Sequence, residues 1–135
     1  CSFTNMYNAG ISIGSSDDIV LNHNTFSSKS FKTNGGAAIS LDQVNNSITI
    51  AYNTVNASNG QWPQYGVYMD ACNALNKSSE IYNNMINLGQ PWSSVAFSAI
   101  RMNDVVGTSV LFNNLAVSGN NTNNSVLYSN GSLQS

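Results

Sequence analysis

The chain has 135 residues, enough for one domain with a hydrophobic core. Charged residues make up 7% of it, against roughly 25% in a typical soluble domain, and asparagine and serine take their place with 23 and 21 residues. A net charge of -2 with four basic residues excludes the basic surface that nucleic-acid binding needs. No apolar run approaches the ~18 residues of a membrane-spanning helix, so we expect no membrane insertion.

Four copies of one strand pattern follow each other along the chain. Each copy has a short stretch of alternating apolar and polar residues, a polar turn, a second alternating stretch, and an asparagine with an apolar residue two places later. Alternation with a period of two is typical of a β-strand that buries one face. The first stretches are 10–14, 38–42, 66–70 and 99–103, and the second stretches are 19–26, 47–55, 81–86 and 110–116.

A repeat of roughly 30 residues predicts a solenoid. Each copy holds two or three short strands without helical periodicity, which excludes helical repeats and leucine-rich arcs, and a propeller blade would need about 40 residues. We therefore predict an all-β fold, a single-stranded parallel β-helix of about four to five coils over residues 1–135. Because a solenoid needs polar end caps and neither end shows one, we expect a fragment of a longer protein or a subunit that stacks end to end.

Equivalent positions in successive copies should form columns along the coil. Four apolar columns are predicted to fill the interior, each stabilising the fold by about 25 cal/mol per Å² of buried surface. An asparagine column is predicted to form a ladder, in which each amide hydrogen-bonds to the copies above and below. The apolar columns are Ile11/Ile39/Val67/Ile100, Ile13/Leu41/Met69/Met102, Leu21/Ile50/Ile81/Leu111 and Phe3/Phe26/Val55/Ile86/Ala116, and the ladder is Asn24, Asn53, Asn84 and Asn114.

These repeats resemble the right-handed parallel β-helix repeats of pectate lyase-like proteins, in which Gly-Ile-x-Ile, a turn and Ile-x-Ile-x-x-Asn-x-Ile recur. The resemblance covers nearly the whole chain, and the stretches 65–69, 82–86 and 111–115 are most similar to β-helix surface proteins of Bacteroidetes-type bacteria. That superfamily includes lyases, hydrolases, epimerases, phage tailspikes, adhesins and structural stalks. The resemblance therefore implies a single-stranded right-handed parallel β-helix and leaves the function open.

One outward column contains two carboxylates. Asp42 and Asp70 end the first strands of successive copies and should lie about 5 Å apart, in the range of a retaining glycosidase pair. Tyr68 and Arg101 lie two residues before this column on the same face. If the protein is an enzyme, we expect these four residues to be catalytic in a polysaccharide lyase or glycoside hydrolase. The simpler interpretation is that the two carboxylates stabilise turns, because Asp and Asn side chains form hydrogen bonds to the local backbone at strand ends.

No cofactor is expected, and the sequence lacks a set of His and Cys ligands for a metal centre. A weak Ca²⁺ site at Asp42 and Asp70 is the one cation site that we keep open. Trp62 and Trp92 lie in equivalent loops, each beside a proline and the first near Tyr65. These aromatic residues are candidates for stacking on sugar rings, although each indole is equally suited to cover an apolar edge of its own coil.

Repeat regularity and scarce charge favour a non-enzymatic extracellular or cell-surface module with a structural, adhesive or filament-forming role. A carbohydrate-active enzyme fragment and a glycan-binding module are the alternatives. The expected partners are further β-helix coils, identical subunits or a polysaccharide.

Overall fold

The computed structural model describes residues 1–4, 9–27, 36–57, 63–74, 78–90 and 96–131. These residues form fourteen β-strands and no helix. The strands are β1 Ser2–Thr4, β2 Ala9–Gly14, β3 Asp17–Asn22, β4 Thr25–Ser27, β5 Ala37–Asp42, β6 Asn45–Ala51, β7 Thr54–Ala57, β8 Tyr65–Asp70, β9 Ser79–Tyr82, β10 Met85–Gln90, β11 Ser98–Asn103, β12 Thr108–Leu111, β13 Asn114–Gly119 and β14 Ser125–Asn130.

The strands stack into three parallel sheets. In the described residues, the first sheet contains β1, β4, β7, β10 and β13, the second β2, β5, β8, β11 and β14, and the third β3, β6, β9 and β12. Each complete coil contributes one strand to each sheet. The predicted all-β parallel solenoid is confirmed. The solenoid makes about three turns, which is slightly fewer than the four to five coils predicted. The third sheet has four strands and therefore three steps from one coil to the next, and the terminal strands β1 and β14 belong only to the first and second sheets.

A single left-handed residue turns the chain from the third sheet into the first. Tyr52 and Phe112 occupy such corners with φ of 54° and 51°, and His23 and Asn83 occupy the equivalent positions. A non-glycine residue in this conformation costs roughly 1–2 kcal/mol. The favourable pairing of the strands before and after each corner must therefore offset the cost of this left-handed residue.

Side chains from all three sheets meet in the interior. Ile39, Ile50 and Ile86 are 0–1% exposed in the middle coils. Inward residues at the two ends, among them Phe3 and Val110, are only partly buried against this core. The core is therefore well covered in the centre and opens toward both ends.

Buried asparagines hold the corner between the third and first sheets. The Nδ2 of Asn53 donates to the carbonyl of Leu21 at 2.9 Å and to Oδ1 of Asn84 at 3.0 Å. Its Oδ1 accepts from both the backbone N–H and the Nδ2 of Asn24, at 3.0 and 3.1 Å. Asn84 repeats this arrangement one coil further, donating to Oδ1 of Asn113 at 2.9 Å. Each rung thus satisfies backbone groups of its neighbours as well as its own amide.

The fourth rung of the ladder is Asn113, and the prediction of Asn114 was wrong. Asn114 pairs in register with Met85 and is exposed. The same shift of one residue affects two apolar columns in the last copy, where Leu115 lies opposite Ile86 and Val110 opposite Ile81. The residues predicted there were Ala116 and Leu111.

The error arose because the two asparagine pairs at 83–84 and 113–114 look equivalent. Asn53 and Asn84 are each followed by inward apolar residues two and four places later, and after Asn113 the residues at these positions are Leu115 and Val117, both packed on the core. Starting from Asn114, the same positions would be Ala116 and Ser118. The larger apolar pair decides the register, because a shift by one residue would turn it toward solvent.

We predict that Asn53→Ala lowers the free energy of unfolding by about 3 kcal/mol, because it leaves buried backbone groups of Leu21 and Asn24 without partners. Asn114→Ala is the matched control and should change it by less than about 0.5 kcal/mol, since Asn114 is exposed. Urea denaturation of the three proteins measures both effects. Equal destabilisation by the two substitutions would contradict the observed ladder.

Candidate ligand-binding site on the second sheet

The outward face of the second sheet carries a column that changes from small to large side chains. Ser12, Ser40, Tyr68, Arg101 and Tyr128 are consecutive register partners across the five strands. The first two side chains are short and the next three are long. A step in height therefore crosses the face between β5 and β8.

A cleft of ≈ 280 Å³ lies at this step. Tyr65 and Tyr68 form its aromatic side, and small residues form the rest of its lining. The small lining residues are Ala9, Ser12, Gly36, Ala37 and Ser40. The cleft exists because these side chains leave open the volume that the tyrosine rings fill in the next coil.

Two tyrosines and an arginine are packed together on the large side of the step. The rings of Tyr65 and Tyr68 stack with centroids 5.3 Å apart and planes at 24°. The guanidinium carbon of Arg101 lies 5.3 Å from the Tyr65 centroid and 4.5 Å from that of Tyr128. Its Nη1 also donates to the Tyr65 hydroxyl at 3.4 Å. Such cation–π contacts hold the guanidinium between two rings.

A short chain of hydrogen bonds runs beside these rings. Nδ2 of Asn103 donates to the Tyr68 hydroxyl at 3.0 Å, and that hydroxyl donates to Oδ2 of Asp70 at 3.3 Å. Burial raises the pKa of Tyr68, and the negative charge of Asp70 raises it further. The Asn103 hydrogen bond and the Arg101 charge act in the opposite direction but are smaller contributions. The phenol is therefore neutral at pH 7 and acts as a hydrogen-bond donor.

Two polar atoms of this cluster are buried without a hydrogen-bond partner in the described part of the chain, Arg101 Nε and Asn103 Oδ1. The orientation of the Asn103 amide follows from its neighbours. The single hydroxyl hydrogen of Tyr68 is used by Asp70, so Asn103 presents its NH₂ group to the phenol oxygen. Its oxygen is then left without a donor.

The two carboxylates are register partners in adjacent strands, which places Asp42 and Asp70 about 4.8 Å apart along the solenoid axis. Asp42 is exposed, and Asp70 is half-buried and accepts the bond from Tyr68. Arg101 lies against tyrosine rings. Within the described residues, no group of three or more His, Cys, Asp or Glu side chains is placed to hold a metal ion.

Of the three aromatic residues predicted to contact a ligand, the structure places Tyr65. Trp62 and Trp92 lie outside the described residues. Tyr128 and Asn103 belong to the cluster but were not predicted as site residues. Extending the outward column by one more copy past Arg101 would have found Tyr128, since the two are register partners.

Comparisons with known proteins add no assignment. No protein family, no curated protein and no solved structure matches the chain. Among the described residues, none forms a helix of the length and apolarity required to cross a membrane.

We predict that Tyr68 titrates above its ordinary pKa of 10.0. NMR of protein with ¹³C-labelled tyrosine rings measures this pKa, with Tyr68→Phe assigning the signal. Asp70→Asn should lower the pKa only in part, because burial is the larger cause. The contribution of the raised pKa to folding stability is fully present below pH 10, the ordinary pKa, and is lost as the pH rises from there through the raised pKa of the folded protein. Titration of Tyr68 at or below 10 would contradict the described environment.

Proposed function

We propose that the protein is a non-catalytic carbohydrate-binding module of a cell-surface β-solenoid, with an adhesive role, and that the sugar binds on the outward face of the second sheet. The observation that carries this proposal is the cleft, in which the Tyr65–Tyr68 stack stands beside small polar and apolar residues. Most ligand sites share this combination of an apolar surface and a few polar groups that fix orientation.

A sugar ring fits this surface chemically. Its C–H face packs on an aromatic ring, and its hydroxyls bond to side chains around the edge. Tyr65 is held by ring stacking and by the Arg101 hydrogen bond, and Tyr68 by Asn103 and Asp70. Because these contacts exist without ligand, little side-chain entropy is lost on binding.

The raised pKa of Tyr68 makes this phenol a poor general base. A general base needs a pKa near the working pH, whereas this phenol keeps its proton well above neutrality. The register pairing of Asp42 with Asp70 supports the alternative of a glycoside hydrolase or lyase. The test below therefore includes turnover as an outcome.

The wider context is part of the proposal. The resemblance of the repeats favours membership of the pectate lyase-like superfamily and an extracellular or cell-surface location. Partly buried core residues at both ends, such as Phe3 and Val117, support stacking on further β-helix coils or identical subunits. A stack would repeat the sugar site at intervals along a filament and strengthen adhesion by avidity.

We predict that an array of oligosaccharides retains the protein and that Tyr65→Ala with Tyr68→Ala weakens binding at least about tenfold, since aromatic contacts contribute on the order of 1–2 kcal/mol. Tyr52→Ala is the matched control, because Tyr52 is 48% exposed at the corner away from the second sheet. It should bind like the unmodified protein.

Absence of binding across the array, or full binding by the double variant, would overturn the proposal. Cleavage of a bound oligosaccharide that Asp42→Asn with Asp70→Asn abolishes would establish the enzyme alternative in its place.

A further inference from the structure

The two unpartnered atoms of the site form a donor and acceptor pair. Arg101 Nε always carries a proton to donate, and Asn103 Oδ1 only accepts. A buried group left unpaired costs about 1–3 kcal/mol, so native structures keep few of them. The described residues contain one further such atom, Thr108 Oγ1, and that residue lies on the third sheet. The unpaired side-chain atoms are thus concentrated at the candidate site.

The spacing of the pair indicates what would satisfy it. Arg101 and Asn103 are two residues apart on β11 and face the same side, so their backbones are separated by about 6.7 Å. A trans amide presents its C=O and N–H in opposite directions, and each makes a hydrogen bond of about 2.9 Å. An amide lying between the two side chains can accept from Arg101 and donate to Asn103.

We propose that these two residues recognise the acetamido group of an N-acetylated sugar. This inference rests on the proposed function, because it concerns the same face of the second sheet. The sugar ring would pack on the Tyr65–Tyr68 stack, while the acetamido carbonyl and N–H bond to Arg101 Nε and Asn103 Oδ1. A negatively charged sugar fits less well, because the carboxylate of Asp70 lies beside Tyr68.

Tyr128 is the group that the ligand must displace. Its ring lies 4.5 Å from the Arg101 guanidinium and covers one face of it. Tyr128 is 38% exposed on β14, the last described strand, so its ring has solvent to turn into. Tyr65 stays in place through the hydrogen bond that its hydroxyl accepts from Nη1. Ligand binding therefore replaces the Tyr128 ring on Arg101 with an acetamido group.

The test compares oligosaccharides that differ only at the acetamido position. Chitotriose and cellotriose are one such pair, and the matching galactose and mannose pairs complete the set. Calorimetry with the whole chain measures each dissociation constant. For at least one pair we expect the N-acetylated member to bind tenfold more tightly or better.

Variants separate this role from a structural one, with the affinity ratio of the pair as the readout. Arg101→Met should reduce the preference to about threefold or less, since it removes the donor. Thr108→Val is the matched control and should leave the ratio unchanged, because it removes the unpartnered atom on the third sheet. Tyr128→Ala should raise the affinity for the N-acetylated member by uncovering Arg101.

The outcomes distinguish the two proposals. Binding of sugars without preference for any N-acetylated member overturns the acetamido inference and leaves the proposed function standing. A preference that persists in Arg101→Met also overturns the inference. Absence of binding to every sugar overturns both.

Discussion

The buried asparagine ladder is the constraint on which the rest of the structure depends. Asn53 and Asn84 are each almost fully buried, and each amide hydrogen-bonds to both the coil above and the coil below. A buried amide without partners is expensive, so a coil that slipped by one residue would lose several hydrogen bonds at once. Aliphatic columns contribute more of the total burial energy, but their side chains tolerate exchange far better than a fixed donor and acceptor pattern does. The ladder therefore fixes each coil against its neighbours, while the apolar columns supply most of the stability and, in the last copy, decide which of two adjacent asparagines becomes the rung.

Register in turn determines what meets on the outward face of the second sheet. Tyr68, Arg101 and Tyr128 belong to three successive coils, and they are adjacent only because the strands pair as they do. The same pairing puts short serines in the preceding coils and so opens the cleft beside the tyrosines. Binding chemistry here comes from differences between otherwise equivalent positions, which is how a repetitive fold acquires one particular site.

The period of the repeat was sufficient to predict the solenoid, its parallel pairing and most inward positions, since burial of alternate residues is a local pattern. It was insufficient in the last copy, where two adjacent asparagines compete for one rung and only the size of Leu115 and Val117 decides. The outward column that contains Tyr68 and Arg101 could also be predicted from the sequence. The contacts of the Arg101 side chain could not be predicted, because a guanidinium can bind carboxylates or pack on rings, and the choice depends on side-chain packing in three coils.

The most direct test of this account is the hydrogen bond that closes the ladder in the last copy. NMR can detect scalar coupling across the bond from the backbone N–H of Asn84 to the side-chain carbonyl of Asn113, whose atoms are 2.9 Å apart. We expect coupling from the Asn84 nitrogen to the Asn113 side-chain carbon. Coupling to the Asn114 side chain instead would shift the last coil by one residue and contradict Asn113 as the fourth rung.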